Sequence, residues 1–180
     1  MTCNPTISLR RFPALGALLA LLGIIAGLFP TSIAQDDLED RVKAGWIYQC
    51  AQKFVWPASR TSDGKFIIGV IGNDEIRSIL ASAIAKNGNK IGDRPASVIS
   101  ASPTDVPRCH LVYVARGSRS TGTGAIAQAR GNAVLTIGDT DDGFMVKFIP
   151  VNDSLGIAGD RALIKQEGIK FTADILRVLK

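Results

Sequence analysis

The feature that most constrains the fold is an alternation of short apolar runs with segments of helical periodicity. The run "KFIIGVIG" (65–72) lies between turn signals and predicts a buried strand. The next segment, "NDEIRSILASAIAKNG" (73–88), has apolar residues at helical spacing, and Asn73 or Asp74 can cap its first turn. A buried strand followed by a capped helix is a βα unit, and such units build parallel sheets.

The same alternation continues through the middle of the chain. Three further strands are predicted over "RPASVIS" (94–100), "HLVYVA" (110–115) and "GNAVLTIG" (131–138). Between the last two strands, "RGSRSTGTGAIAQAR" predicts a polar loop and then a weak helix. The glycine- and serine-rich part of that segment, 117–124, is predicted to be a mobile surface loop.

The last part of the chain has a different pattern. "GFMVKFIPV" (143–151) and "SLGIAG" (154–159) flank a turn and predict a β-hairpin, and two short helical segments follow over 160–168 and 171–180. The fold class is therefore α/β. We expect a three-layer sandwich with a mixed, mostly parallel sheet, helices on both faces and a C-terminal antiparallel hairpin.

The N-terminal segment has the pattern of a secretory signal peptide. Arg10 and Arg11 precede an uncharged apolar run of 18 residues that ends in "PTSIA". This pattern predicts a signal peptide over 1–34, cleaved after Ala34, and a single α/β domain over 35–180. The alternative is an uncleaved membrane anchor, because the apolar run is just long enough to span a bilayer.

The charge of the predicted domain argues against nucleic-acid binding. Removing Arg10 and Arg11 from the 21 Lys and Arg residues leaves 19, against 16 Asp and Glu residues. The excess is small, and no block of Lys or Arg occurs, so no nucleic-acid partner is expected.

The pair Cys109–His110 is the strongest candidate for catalysis or metal binding. If "CHLVYVA" is a strand, Cys109 shares a face with Leu111 and Tyr113, whereas His110 points to the other face. The two side chains then cannot form a thiolate–imidazole pair. A zinc site would need three or four ligands, and the chain has no second histidine.

Two other segments resemble binding motifs only loosely. "GSRSTGTG" (117–124) lacks the lysine that a phosphate-binding loop requires after its last glycine. "GDTDDG" (138–143) lacks the spacing and the terminal glutamate of a calcium-binding loop. We therefore predict no catalytic residue, no metal site and no cofactor, and we expect the protein not to be an enzyme.

The first helix is predicted over 36–54 and carries Cys50, the other cysteine of the predicted domain. Its apolar residues recur at helical spacing and place Cys50 on the buried stripe. In an exported protein, Cys50 and Cys109 form a candidate disulfide. The alternative is two buried free thiols, because sequence does not give the separation of their Cα atoms.

The order of the segments resembles the YfiR-like (HmsC-like) periplasmic domain family over nearly the whole predicted domain. The family's opening signature is matched in "RVKAGWIYQCAQKFVWP" at Lys43, Ala44, Trp46, Tyr48, Trp56 and Pro57. The resemblance continues through "FIIGVIGNDEI", "GDRPASVI", "CHLVYVARGS" and "VLTIGD", and it ends with "GIKFTADILRVL".

The sequence departs from the family pattern in three places, one of which is a shorter loop between "VLTIGD" and the hairpin. Cys50 occupies a position where the family often has phenylalanine. In "IAGDR", Asp160 and Arg161 replace the Asn and Leu of the family pattern, which puts a partner contact by that segment in doubt. Of the cysteines that form disulfides in some members, only Cys109 has a match.

The resemblance implies a non-enzymatic regulator in the periplasm. Such a protein binds and restrains the periplasmic sensor part of an inner-membrane signalling protein, a diguanylate cyclase or a similar receptor, and so limits cyclic-di-GMP and biofilm formation. The signature residues are then candidate interface residues. A second copy of the chain, forming a homodimer, is a further candidate partner. The alternative is a periplasmic small-molecule sensor with a pocket near the first helix and Trp56.

Overall fold

The secondary structure follows the predicted alternation of strands and helices. The computed structural model describes residues 32–62, 64–140, 143–152 and 154–179. The first half contains α1 (Ser32–Lys53), β1 (Phe54–Val55), α2 (Ala58–Thr61), β2 (Phe66–Ile71), α3 (Asp74–Lys86), β3 (Lys90–Ile91) and β4 (Arg94–Ser100). The second half contains a 3₁₀ helix (Pro103–Arg108), β5 (Leu111–Val114), α4 (Arg119–Ala129), β6 (Leu135–Gly138), β7 (Val146–Val151), β8 (Ser154–Gly159), α5 (Arg161–Gln166), β9 (Lys170–Phe171) and α6 (Ala173–Val178).

The N-terminal segment falls largely outside this description. Of the predicted signal peptide, only the last three residues lie in the described part, at the start of α1. From Asp36 onward the chain forms one compact unit. No helix in the described ranges is both long enough and apolar enough to cross a membrane.

Seven strands form one mixed sheet in the order β3-β4-β2-β5-β6-β7-β8. The five strands from β4 to β7 run parallel, whereas β3 and β8 pair antiparallel at the two edges. The chain starts in the middle at β2, adds β4 on one side and then crosses to β5 on the other. This is a doubly wound order, and its topological switch point lies between β2 and β5.

Side chains alternate across the sheet and divide the core into two clusters. On β5, Leu111 and Tyr113 belong to the first cluster, which includes buried residues of α1 and α3. Val112 and Val114 belong to the second cluster, with buried residues of α4 and the 3₁₀ helix. The predicted class, a mostly parallel sheet with helices on both faces and a final antiparallel hairpin, is therefore confirmed.

Helix α1 packs along the first face and is fixed at its C-terminal end. Ala44, Ile47, Cys50 and Ala51 are buried at helical spacing, which is why this segment forms an amphipathic helix. The following strand β1 pairs antiparallel with β9, so that Phe54 lies opposite Phe171. This two-stranded sheet joins the beginning of the domain to its end, and local periodicity does not predict it because each strand has only two residues.

The segment 117–124, predicted to be a mobile loop, is largely helical, so that prediction is wrong. Helix α4 begins at Arg119, and Ala125, Ile126 and Ala129 anchor it to the second core cluster. Glycine weakens an isolated helix. Here burial of the apolar residues that follow compensates for that weakness, because tertiary packing supplies most helical stability in proteins.

The predicted face of Cys109 is also wrong. Strand β5 starts at Leu111, and Cys109 instead ends the 3₁₀ helix, followed by a bend at His110. Alternation holds only within a strand, so Cys109 belongs to the second cluster with Val112. Its Sγ lies so close over Gly69 of β2 that a Cβ there would be 3.0 Å away.

Candidate functional site

Helix α1 runs from the carboxyl ends of the parallel strands to their amino ends. The residues that match the family signature lie at both ends. Lys43 lies near the carboxyl ends of the strands, where it contacts Asp139 directly after β6. Trp56, beyond the C-terminal end of α1, lies near the amino ends and contacts His110 directly before β5. The signature therefore does not form one site. We describe the carboxyl edge and the amino edge of the sheet separately.

At the carboxyl edge, three donors converge on one oxygen of Asp139. The Lys43 ammonium donates at 3.1 Å, the Tyr113 hydroxyl at 3.0 Å and the Arg116 backbone N–H at 3.1 Å, all to Oδ2. The Asp139 side chain is only 3% exposed and that of Lys43 only 9%. Lys43 also donates to Glu39 at 2.7 Å, one turn earlier in α1.

The charges at this edge alter the ionisation of its buried groups. Burial opposes the charged form of Lys43, but hydrogen bonds and charge attraction from Glu39 and Asp139 outweigh it and raise the lysine pKa. Burial is the largest cause that raises the pKa of Tyr113, followed by the negative charge of Asp139. Lys43 is therefore an ammonium and Tyr113 a neutral donor at neutral pH.

An open cleft of about 310 Å³ lies at this edge, next to the switch point. Its walls come from the start of α1, the β2–α3 turn, the end of β5 and Asp139. Asn73 caps α3 by accepting from the Ile76 N–H at 2.8 Å, and its amide donates to both carboxylate oxygens of Asp40 at 3.2 Å. The cleft is thus lined mainly by charged and amide side chains.

At the amino edge, the single histidine is buried within an aromatic cluster. His110 is 1% exposed and stacks on Phe66, with ring centroids 4.7 Å apart. Its Nδ1 accepts from the Ile67 N–H at 3.2 Å, and its Nε2 lies 2.9 Å from the Arg60 carbonyl oxygen. A neutral imidazole with its proton on Nε2 satisfies both contacts.

Trp56 completes this aromatic cluster. Its Nε1–H donates to the His110 carbonyl at 2.9 Å, and its ring meets Phe66 edge-to-face with centroids 4.8 Å apart. The Arg94 guanidinium lies 5.6 Å from the centre of the Phe66 ring and 3.0 Å from His110 Nε2. The Arg60 guanidinium donates to the Cys109 carbonyl. The hydrogen bonds to Ile67 and Arg60 and the packing against Phe66 and Trp56 hold His110 in place, whereas the Arg94 contact brings two donors together and adds no hydrogen bond to the ring.

A shallow groove of about 290 Å³ lies beside this cluster. Most of its lining is apolar and includes Phe54, Val55, Trp56 and Ile91, with Arg94 at one side. Val55 is 51% exposed, so part of this apolar surface faces solvent. The sequence predicted a pocket near the first helix and Trp56, and this groove lies at that place.

Of the remaining predicted site residues, Trp46 and Asp160 make hydrogen bonds that stabilise the fold. Trp46 donates from Nε1 to the Leu155 carbonyl at 3.0 Å, which fixes α1 to β8. Asp160 caps α5 by accepting from the Ala162 and Leu163 N–H groups at 2.9 and 3.0 Å. Tyr48 and Pro57 are half-buried, and Arg161 is exposed.

The two cysteines are free thiols in this structure, which is the second of the two predicted alternatives. Cys50 belongs to the first core cluster and Cys109 to the second, so the sheet lies between them. A disulfide needs Cα atoms within about 7 Å. Burial raises the pKa of Cys50 to about 12 and, as the main cause, that of Cys109 to about 11, so neither is a reactive thiolate.

No group of three or more His, Cys, Asp or Glu residues in the described ranges is arranged to hold a metal ion. Sequence reasoning named Lys43 but missed its partners Asp139 and Tyr113. The available signal was the position of Asp139 directly after a buried strand, since ligands in such folds bind outside the carboxyl ends of strands.

Fold and site together define a doubly wound α/β domain with a polar cleft at its switch point. Residues 40–179 match the family model described as YfiR/HmsC-like, so the chain belongs to the YfiR/HmsC-like family. A search of curated proteins found no match. The family consists of periplasmic regulators of cyclic-di-GMP signalling that typically interact with a membrane signalling protein, and it is not known to include enzymes.

Proposed function

We propose that this protein is exported to the periplasm and restrains a membrane signalling protein, a diguanylate cyclase, by binding its periplasmic sensor part. The observation that carries the proposal is the family match, which covers residues 40–179 and hence almost the entire described fold. The inert thiols and the fully hydrogen-bonded His110 are consistent with a role in binding rather than in chemistry.

The contacts at the two edges narrow the set of candidate interface residues. Lys43 and Trp56 are buried and have intramolecular partners, so they support the fold beneath an interface rather than form it. Trp46 is partly buried and its indole N–H is already bonded to the Leu155 carbonyl. Arg161 is exposed at the first turn of α5 and follows the capping residue Asp160. The surface around Arg161 is the candidate contact surface to test, because Arg161 is exposed although its segment departs from the family pattern, and Tyr48 and Pro57 are further candidates.

Deletion of the gene in its own host tests the restraining role. We expect intracellular cyclic-di-GMP to rise and biofilm formation to increase, and we expect the full-length chain to reverse both effects. In the same cells, cross-linking followed by affinity capture of the tagged chain should recover an inner-membrane protein with a diguanylate cyclase domain. Unchanged cyclic-di-GMP together with no such captured protein would exclude the proposal.

A charge reversal at the proposed contact surface tests the interface. Arg161→Glu should reduce capture of the partner and raise cyclic-di-GMP, because charged side chains at an interface steer association and select the partner. Lys86→Glu is the matched control, since Lys86 is also exposed but lies at the end of α3. Equal capture by both variants would place the contact elsewhere on the surface.

The groove beside Trp56 favours a second candidate function, sensing of a small apolar molecule. Its volume of about 290 Å³ is close to the lower limit for ligand pockets, and its lining is mostly apolar. Ligand in the groove should change the fluorescence of Trp56, and Trp46→Phe would leave Trp56 as the only tryptophan. A flat fluorescence response to fractionated periplasmic extract would count against this function.

A further inference from the structure

The solvent-facing side of α1 carries an uncharged stripe. Its members recur at alternating spacings of four and three residues, opposite the buried face of the helix, and all of them are exposed: Leu38, Val42, Gly45, Gln49 and Gln52. The outer face of a surface helix usually carries charged side chains. The stripe has none over about four helical turns. The fold of the single chain gives no reason for this departure.

The N-terminal half of the stripe is apolar. Leu38 is 63% exposed and Val42 is 37% exposed, and they are two of the four large apolar side chains that are exposed among the described residues. They lie one turn apart on the same side of the helix. Alternating spacings of four and three are those of a helix that packs lengthwise against a second helix. The spacing therefore indicates a helix as the occupant of the stripe.

Gly45, at the middle of the stripe, supplies an independent observation. It lies in the interior of α1, where glycine weakens a helix relative to alanine. A Cβ at this position would have no described neighbour within 4 Å, so packing within the chain does not require a glycine. The distance between two packed helices depends on the side chains at their contact. A residue without a side chain at this point allows a second helix to approach closely.

The charges along α1 make an antiparallel copy of the same helix a suitable occupant. Residues 36–44 include four acidic and two basic residues, whereas residues 45–53 have Lys53 as their only charged residue. A parallel copy would place the two acidic halves side by side. An antiparallel copy places each acidic half beside the half that carries Lys53, and the two helix dipoles then attract each other. Two identical helices packed antiparallel are related by a two-fold axis, so the assembly closes as a dimer.

We propose that two copies of this chain associate through the stripe, with their α1 helices antiparallel about a two-fold axis at the level of Lys43 and Ala44. In this register Val42 lies beside the partner's Gly45, which leaves room for it, and Leu38 lies beside the partner's Gln49. A single pair of helices covers less than the roughly 800 Å² per partner of a standard interface. We therefore expect a weak dimer that forms at micromolar or higher concentration.

This inference does not rest on the proposed restraint of a membrane protein. Self-association is measured on the purified chain without its partner, so either proposal can fail while the other holds. The stripe lies on α1, whereas Arg161, the candidate contact with the membrane protein, lies on α5.

Sedimentation velocity of the purified protein over a range of concentrations tests the self-association. We expect a shift from monomer to dimer as the concentration rises. Leu38→Glu should raise the dissociation constant of the dimer by about tenfold or more, because it places a charge where an apolar side chain is covered. Val178→Glu is the matched control, since it makes the same kind of change at an aliphatic residue of α6 that is 42% exposed. It should leave the dissociation constant unchanged.

Gly45→Leu separates association from folding. The new side chain starts where no described atom lies within 4 Å, and leucine is a better helix former than glycine, so the thermal midpoint of the dilute protein should rise. The same side chain occupies the space that Val42 needs at the interface, so the dissociation constant of the dimer should rise as well. A protein that is more stable but associates less cannot owe the weaker association to misfolding.

Cross-linking through introduced cysteines gives the direction of the helices. Cys50 and Cys109 are both 0% exposed, and the chain without an added cysteine gives the background. Val42→Cys lies beside the two-fold axis, so a short bis-maleimide should join two copies. Gln52→Cys lies about 25 Å from its equivalent in an antiparallel pair, since a helix rises about 1.5 Å per residue, and should not be joined. In a parallel pair both variants would be joined.

Three results would overturn the proposal. The first is a single monomeric species at every concentration, which would assign the stripe to a partner of another kind. The second is a dimer whose dissociation constant is unchanged by Leu38→Glu and by Gly45→Leu, which would place the interface elsewhere on the surface. The third is cross-linking of Gln52→Cys as efficient as that of Val42→Cys, which would indicate a parallel pair.

Discussion

The two edges of the parallel sheet bury polar side chains in opposite ways. At the amino edge, His110 has a backbone partner for each ring nitrogen and aromatic rings on its faces. At the carboxyl edge, Asp139 has three donors on one oxygen and none on the other among the described residues. The first arrangement is complete and fixes the fold, whereas the second leaves one buried acceptor without a donor.

This difference shows that burial of a polar residue alone does not mark a functional site. His110 and Cys109 attract attention in the sequence because they are the residue types used in catalysis. The structure satisfies the imidazole of His110 internally and buries the thiol of Cys109 in the second core cluster. Asp139 attracts less attention in the sequence but keeps unused acceptor capacity. Completeness of hydrogen bonding, rather than residue type, separates the two edges.

The largest expected effect comes from removing the centre of the amino edge. Trp56→Ala should lower the free energy of unfolding by about 4 kcal/mol, because it leaves a cavity and removes the donor to the His110 carbonyl. Urea denaturation measures this change. Val55→Ala is the matched control, since Val55 is 51% exposed, and it should change stability by less than about 0.5 kcal/mol. Similar losses in both variants would mean that the aromatic cluster does not fix this edge.

At the carboxyl edge, Lys43→Met should lower the free energy of unfolding by about 3 kcal/mol. The substitution keeps the apolar stem of the lysine but leaves the buried Asp139 carboxylate without its cation. Adding Asp139→Asn to Lys43→Met should restore much of the loss, because an amide is less costly to bury than a carboxylate. A double-mutant cycle by urea denaturation gives the coupling. Additive losses would show that the two side chains do not act as a pair.

Alkaline pH should destabilise both edges, in two successive ranges. A thiol or phenol whose pKa is raised by folding stays neutral in the folded protein while it ionises in the unfolded chain. Stability is therefore complete below the unfolded pKa and falls as pH rises. The fall should begin near pH 9 for Cys109, whose pKa is raised to about 11, and near pH 10 for Tyr113, whose pKa is also raised.

At one pH unit above the pKa of the unfolded chain, each buried thiol should lower the free energy of unfolding by about 1 kcal/mol. Cys109→Ala should lessen the fall that starts near pH 9, and Cys50, whose pKa is raised to about 12, accounts for the rest of it. Tyr113→Phe should flatten the fall that starts near pH 10. Urea denaturation at half-unit steps of pH separates the two contributions. A stability that rises between pH 9 and pH 11 would contradict the burial of these groups.

The smallest expected effect concerns the neutral polar group of the cleft. Asn73→Ala should lower the free energy of unfolding by about 1 kcal/mol, because it removes the cap of α3. Asp160→Ala removes the cap of α5, far along the chain, and should cost a similar amount. Thermal denaturation measures both. If Asn73→Ala leaves stability unchanged while Asp160→Ala lowers it, the Asn73 side chain does not stabilise the start of α3.

Much of the fold was predictable because its elements have strong local patterns. Strand β4 was predicted with its observed bounds, Arg94–Ser100, and α3 was predicted with Asn73 as one of two candidate caps. Alternating βα segments restrict the chain to a mostly parallel sheet, and the apolar stripe of α1 requires a partner face. The family-like signature was also readable, since it depends only on the order of residues.

The sequence by itself thus determined the elements, the fold class and the family, because these depend on local periodicity and residue order. Tertiary structure alone decided which residues meet. The bend at His110 put Cys109 on the face opposite Cys50, and the parallel pairing of β5 with β6, with α1 packed against the sheet, brought Lys43, Tyr113 and Asp139 together. Contacts between residues that are 26 and 96 positions apart depend on strand order and register, and no local pattern encodes them.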